Sequence, residues 1–76
     1  MKEILEVMIK NLVEDKDSVS INEVAQDSEI KFEVIVNEKD MGRVIGKKGK
    51  IAQSIRTVMK AIAAKENKKV NIEFID

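Results

Sequence analysis

Seventy-six residues form one domain, spanning 1–76, whose core can take up only roughly 60–65% of the unfolded surface. The chain has no Cys, His, Trp, Tyr or Pro, which removes disulfides, soft-metal sites and thiol or imidazole catalysis, and leaves its Ser and Thr hydroxyls without a histidine to activate them. Net charge is zero, yet residues 1–38 hold four Lys against ten Asp or Glu, net −6, residues 39–69 hold ten Lys or Arg against two acids, net +8, and residues 70–76 add −2.

Ile4, Leu5, Met8, Ile9, Leu12 and Val13 recur at three-four spacing, so a first amphipathic helix is predicted over about residues 2–14. Polar turn-formers at 14–18 end it. Val19, Ser20 and Ile21 then alternate before the pattern slips at Val24 and Ala25, which predicts a short, bulged strand. A tight turn at 26–29 leads into Ile30, Phe32, Val34 and Val36 in strict alternation, the clearest strand in the chain. Asp40 is placed to cap a one-turn helix from Met41 to Ile45. A longer helix follows Gly49, with Ile51, Ile55, Val58 and Ile62 as its expected buried stripe, Ala52, Met59 and Ala63 on the flanks, and an end near Glu66 and Asn67. Val70, Ile72 and Phe74 alternate with Asn71 and Glu73 as a last strand. The tight turn makes the first two strands antiparallel, and the helical crossover makes the last two parallel. The expected fold is α+β, in the order α-β-β-α-α-β, with a mixed three-stranded sheet and helices on one face.

The chemistry concentrates in Met41-Gly42-Arg43-Val44-Ile45-Gly46-Lys47-Lys48-Gly49-Lys50-Ile51. A glycine pair lets backbone approach a ligand closely, and the helix opening at Gly49 or Lys50 turns free N–H groups to the same spot, where anions are favoured. Lys47 and Lys48 add mobile ammonium groups suited to phosphate rather than to base edges. Gly42 and Gly49 enclose six residues and Lys50 precedes Ile51, so the run is not a P-loop, and no Gly-x-Gly-x-x-Gly is present for a dinucleotide. No metal or cofactor set stands out. The acidic half lacks a grouped Mg²⁺ pattern, and the methionines at 1, 8, 41 and 59 read as an initiator and gap-fillers. The first turns carry Lys2, Glu3 and Glu6, so neither a signal peptide nor a membrane span is expected.

This element order, with Gly46-Lys47-Lys48-Gly49 between two helices, resembles the type II KH domain, a reader of single-stranded nucleic acid. The extended run from Gly42 to Gly49, followed by Ser54-Ile55-Arg56-Thr57-Val58 and Ala61, Ala63 and Ala64, is similar to small bacterial single-KH proteins of the KhpA type. That resemblance implies a non-catalytic, cytoplasmic RNA-binding protein. The 46–49 loop would hold the sugar-phosphate backbone of about four nucleotides. The bases would lie in an aliphatic groove walled by Val44, Ile45 and Ala52, with Arg43, Lys50 and Arg56 as positive charge at its rim. Ala52 stands where KH domains commonly carry a large aliphatic residue, so a shallow groove with weak base preference is expected. Phe32 and Phe74 face inward by alternation and no other aromatic is available for stacking, so single-domain binding should be weak and salt-sensitive.

The same resemblance implies a homodimer, pairing with a larger KH protein of the Jag (KhpB) type, and a role in RNA control linked to cell elongation and division. Met59, Ala61, Ala63 and Ala64 form the candidate dimer face. Lys60, Lys65, Lys68 and Lys69 read as solvated faces outside the site. Two rival readings stand beside RNA binding: a dimerising interaction subunit of KH shape, and a binder of single-stranded DNA, since phosphate contacts do not report the 2′-hydroxyl.

Overall fold

In the computed structural model, which describes residues 1–75, the N-terminal apolar spacing becomes helix α1, Lys2–Leu12. Asp76, the last of the charges counted above, lies outside the described residues. Helix α1 buries Leu5 and Ile9 and stops two residues short of the expected end, because Val13 turns into extended backbone (φ −96°, ψ 156°). A 3₁₀ turn at Lys16–Ser18 follows, and then strand β1, Ser20–Gln26, and strand β2, Glu29–Ile35.

The expected bulge in β1 is absent. Seven consecutive residues pair one-to-one with β2, from Ser20 with Ile35 to Gln26 with Glu29, around a two-residue turn in which Asp27 takes φ 50°. The apparent slip at Val24 arises because Val24 lies on the open face of the sheet, opposite Lys31, while Ala25 faces the helix side beyond the reach of the helices.

Beyond β2, a 3₁₀ turn at Glu38–Asp40 leads into α2, Met41–Ile45, a second 3₁₀ turn at Lys47–Gly49, α3, Lys50–Lys65, and β3, Lys69–Ile75. Strand β2 is central, antiparallel to β1 and parallel to β3. Phe32, Val34, Ile30, Val70 and Ile72 face the helices and join Leu5, Ile9, Val44, Ile55 and Met59 in one core. The opposite face is wet and carries Lys31 between Glu33 (3.7 Å) and Glu73 (3.3 Å). The fold is therefore α+β with a mixed three-stranded sheet, in the expected order.

Helix α3 is rotated relative to expectation. Its buried line is Ala52, Ile55, Met59 and Ala63, whereas Ile51 and Val58 are 36% and 44% exposed. Residue size explains the shift: Ala52 and Ala63 let the helix axis approach the sheet, a position where branched side chains would hold it off. Ile51 and Val58 thereby fall on the shoulder that faces α1.

Candidate nucleic-acid interface

The loop between α2 and α3 is built on backbone that few residues adopt. Gly46 has φ 75° and ψ 175°, a region essentially reserved for glycine, and Gly49 is left-handed at φ 73°, ψ 15°. Lys48 is left-handed as well, at φ 54°, ψ 26°, without a glycine's freedom. The turn is fixed by the Gly46 N–H donating to the Gly42 carbonyl (2.9 Å) and the Gly49 N–H donating to the Gly46 carbonyl (3.2 Å). A Cβ on Gly46 would lie 2.6 Å from Cγ1 of Ile51, so that glycine is required by packing as well as by φ. Gly49 has open space around its Cα and is required by conformation alone. As the N-cap of α3 it offers no side chain to the first-turn N–H groups, of which that of Lys50 donates to the Lys47 carbonyl within the loop.

Charge is unevenly committed around this loop. Lys47, Lys48 and Lys50 are exposed and, among the described residues, form no ion pair. Arg43 differs: its guanidinium binds Glu14 at 2.7 Å and Asp40 at 3.4 Å, so it ties α2 to the end of α1 rather than standing as free rim charge. Arg56 is half-buried, donates Nε–H to the Ile72 carbonyl (3.3 Å) and lies 5.3 Å from the centre of the Phe74 ring. It covers the free edge of β3 and forms one wall of the seam between α3 and that strand.

The expected groove wall is corrected in two places. Val44 is fully buried, 0% exposed, and belongs to the core beneath the loop, and Ala52 is buried on the inner line of α3. Neither side chain is exposed enough to wall a groove. Ile45 is half-buried beside the loop. Ile51, the last residue of the run and expected on the buried stripe of the helix, instead closes its side chain over Gly46, a role its position two places after Gly49 allows.

The candidate dimer face is corrected too. Met59 and Ala63 are wholly inside the core and available to no partner, which leaves only Ala61 and Ala64 exposed. Large exposed apolar groups lie elsewhere: Ile4 and Val7 on α1, Ile51 and Val58 on α3, and Val24, Ile35 and Ile75 on the strands. Between these helices runs a cleft of about 390 Å³ lined by Met8, Leu12, Ile51, Ile55 and Val58, with Asn11 and Ser54 as its polar members.

Asp40 was expected to cap α2, but its carboxylate makes no cap bond. Oδ1 accepts the N–H of Glu14 (3.1 Å) and Oδ2 that of Asp15 (3.0 Å). The neighbouring Asp15 carboxylate accepts from Ser18 Oγ (2.7 Å) and Asn37 Nδ2 (2.9 Å), and these bonds hold its pKa below the ordinary value of 3.8. Among the described residues, no helix is long and apolar enough to cross a membrane.

A family model for the KhpA/KhpB KH domain matches residues 2–74. The chain is 52% identical over 75 residues to an RNA-binding protein KhpA of Clostridium perfringens, covering 99% of this chain and all of that protein. It is 51% identical to the protein of the same name from Clostridium acetobutylicum, with the same coverage. Across a wider distance, the RNA-binding protein KhpA of Listeria monocytogenes is 38% identical over 76 residues, the full length of both chains. No solved structure matches.

Proposed function

Because the chain belongs to the KhpA/KhpB KH-domain family, a non-catalytic one, we propose that it is a single-stranded RNA-binding protein whose 46–49 loop grips the sugar-phosphate backbone. One observation carries the reading: a loop held open by two positive-φ glycines and a strained Lys48, with unpaired Lys47, Lys48 and Lys50 at an uncapped helix start. Backbone N–H groups and ammonium groups meet there at one surface, the arrangement that accepts phosphate without reading sequence. About four nucleotides follow from the KH mode of binding. Ile45 and Ile51 replace Val44 and Ala52 as the aliphatic surface beside the strand. RNA control in the cytoplasm is the setting this reading gives the protein.

The test is a titration of the protein with labelled short single-stranded RNA and DNA at two salt concentrations, beside Lys47→Asp/Lys48→Asp with its fold checked by circular dichroism. Wild type should bind RNA weakly, with affinity falling as salt rises, and the folded variant should lose at least about tenfold. Equal affinity for DNA would make the ligand single-stranded nucleic acid in general. No binding by folded wild type at high micromolar concentration overturns the reading.

A second reading is supported by the cleft between α1 and α3. Exposed Ile4, Val7, Ile51 and Val58 are large apolar groups on adjoining helices of a small domain, the kind of patch that buries itself against a partner. Self-association through this face, or pairing with a KhpB-type KH protein, would give a weak single-domain binder avidity. Val58→Asp should return a dimer to monomer in sedimentation without unfolding it; an unchanged mass removes this face as the interface.

A further inference from the structure

Lys60, Lys68 and Lys69 were set aside above as solvated charge, but the fold collects them in one place. On α3, Arg56 and Lys60 follow Gly49 by seven and eleven residues, the spacing of one helical face. That face looks toward β3, away from the α1 cleft. The seam between α3 and β3 holds two adjoining concavities. One, of about 50 Å³, is lined by Arg56, Lys60, Val70, Asn71 and Ile72. The next, of about 280 Å³, shares Lys60 and Val70 and adds Lys68 and Lys69. At ~1.5 Å per residue, the distance along α3 from Gly49 to Lys60 is about 17 Å.

Three lysines therefore line one concavity, and among the described residues none of them has an ion pair. Glu66, the nearest carboxylate in sequence, is the exposed C-terminal cap residue of α3, and Glu29, exposed beside Lys69 in the β2–β3 register, makes no ion pair with it. The lysines do not hang from loose chain. The Lys68 N–H donates to the Ala63 carbonyl (2.9 Å), the Lys69 N–H to the Ser28 carbonyl (2.8 Å), and Asn67 makes the turn at φ 57°. Like charges gathered around one concavity repel one another unless an anion joins them.

We propose, resting on the RNA-binding reading above, that Lys60, Lys68 and Lys69 form a second phosphate contact, so that a single strand gripped at the 46–49 loop continues along the α3–β3 seam to this turn. RNA is favoured over an acidic protein segment because the cations continue the line of the loop along one seam, with Arg56 between them. The stretch bound is then longer than the loop alone would hold. Affinity should rise with strand length up to the span of both contacts, and the extra contacts should be sequence-blind.

The experiment measures binding of five- and twelve-nucleotide oligouridylates to the full chain at low and moderate salt. Wild type is compared with Lys60→Gln/Lys68→Gln/Lys69→Gln and with a charge-matched control, Lys2→Gln/Lys39→Gln/Lys65→Gln. The seam variant should weaken the longer RNA about tenfold, change the shorter less than about twofold, and make the slope of log affinity against log salt shallower by about 2, the share of three phosphates on a single strand. The control should leave the ratio between the two lengths as in wild type. Equal losses in seam variant and control, or an unchanged ratio in the seam variant, overturn the second contact while wild-type binding and its loss in Lys47→Asp/Lys48→Asp leave the loop reading standing. Wild type that binds neither RNA defeats the loop reading itself, and the seam with it.

Discussion

Two charged turns flank the five-residue helix α2, and they are treated in opposite ways. At its N-terminal end, Asp40 is 3% exposed and its carboxylate meets two backbone N–H groups and the Arg43 guanidinium. At its C-terminal end, Lys47 and Lys48 project into solvent from backbone that is strained, with no partner among the described residues. The first turn spends its charge on the fold, joining residues 25 and 26 positions apart. The second leaves its charge unpaired among the described residues. A cation's proximity to a glycine loop does not by itself decide its partners; Arg43 and Lys47 are four residues apart, and only the first is paired.

The comparison can be broken most severely at Asp40. Asp40→Ala leaves the Glu14 and Asp15 N–H groups without an acceptor at a part-buried turn, with Arg43 held by Glu14 alone, and should cost about 3 kcal/mol in denaturant unfolding, while the fraction that remains folded binds RNA as wild type does. A loss under about 1 kcal/mol would mean that water replaces the carboxylate and the turn is not a clamp. Gly46→Ala comes next. It forces a β-carbon into Ile51 and a side chain into glycine-only backbone, and should cost about 2 kcal/mol together with RNA affinity. Lys48→Gly sharpens the contrast by separating stability from binding. Relief of the left-handed lysine should raise stability by about 0.5–1 kcal/mol, yet RNA affinity should fall with the lost charge; a variant that gains both would show that the strain serves no ligand.

The smallest effect expected is in the acid limb of stability. Asp15 has a folded pKa held below the ordinary 3.8 by Ser18 and Asn37. Its contribution is therefore present above the unfolded value and disappears as pH falls through the folded one. Thermal unfolding of Asp15→Asn followed downward from pH 5 should show a gentler loss of stability than wild type; parallel curves would remove Asp15 from that response.

Local periodicity made much of this legible. Helix and strand identities followed from spacing, the two strand directions from one tight turn and one crossover, and the loop from the interval between Gly46 and Gly49. The failures were of a different kind. The depth of α3 depends on how closely Ala52 and Ala63 let it approach the sheet, which no hydrophobicity count reveals, and so Ile51 and Val58 were placed inside and Met59 was offered to a partner. Asp40 resembled a local cap because its true acceptor role is toward Glu14 and Asp15, far off in sequence. Arg43 was taken for rim charge for the same reason, since Glu14 is 29 positions away. The seam lysines, dispersed between 60 and 69, converge only once the turn at Asn67 is folded.

The parallel pairing of β2 with β3 also carries a kinetic consequence. Its register joins Glu29 to Lys69 and Ile35 to Ile75, partners 40 residues apart, with the whole of α2, the loop and α3 enclosed between them. Contacts of such long range close slowly, because chain entropy is lost before they are rewarded. The β1–β2 hairpin and α1 can assemble from local contacts, whereas the glycine loop is held in shape by the helices that this last pairing locks down. Refolding watched through a probe on β1 should accordingly run ahead of the recovery of RNA binding.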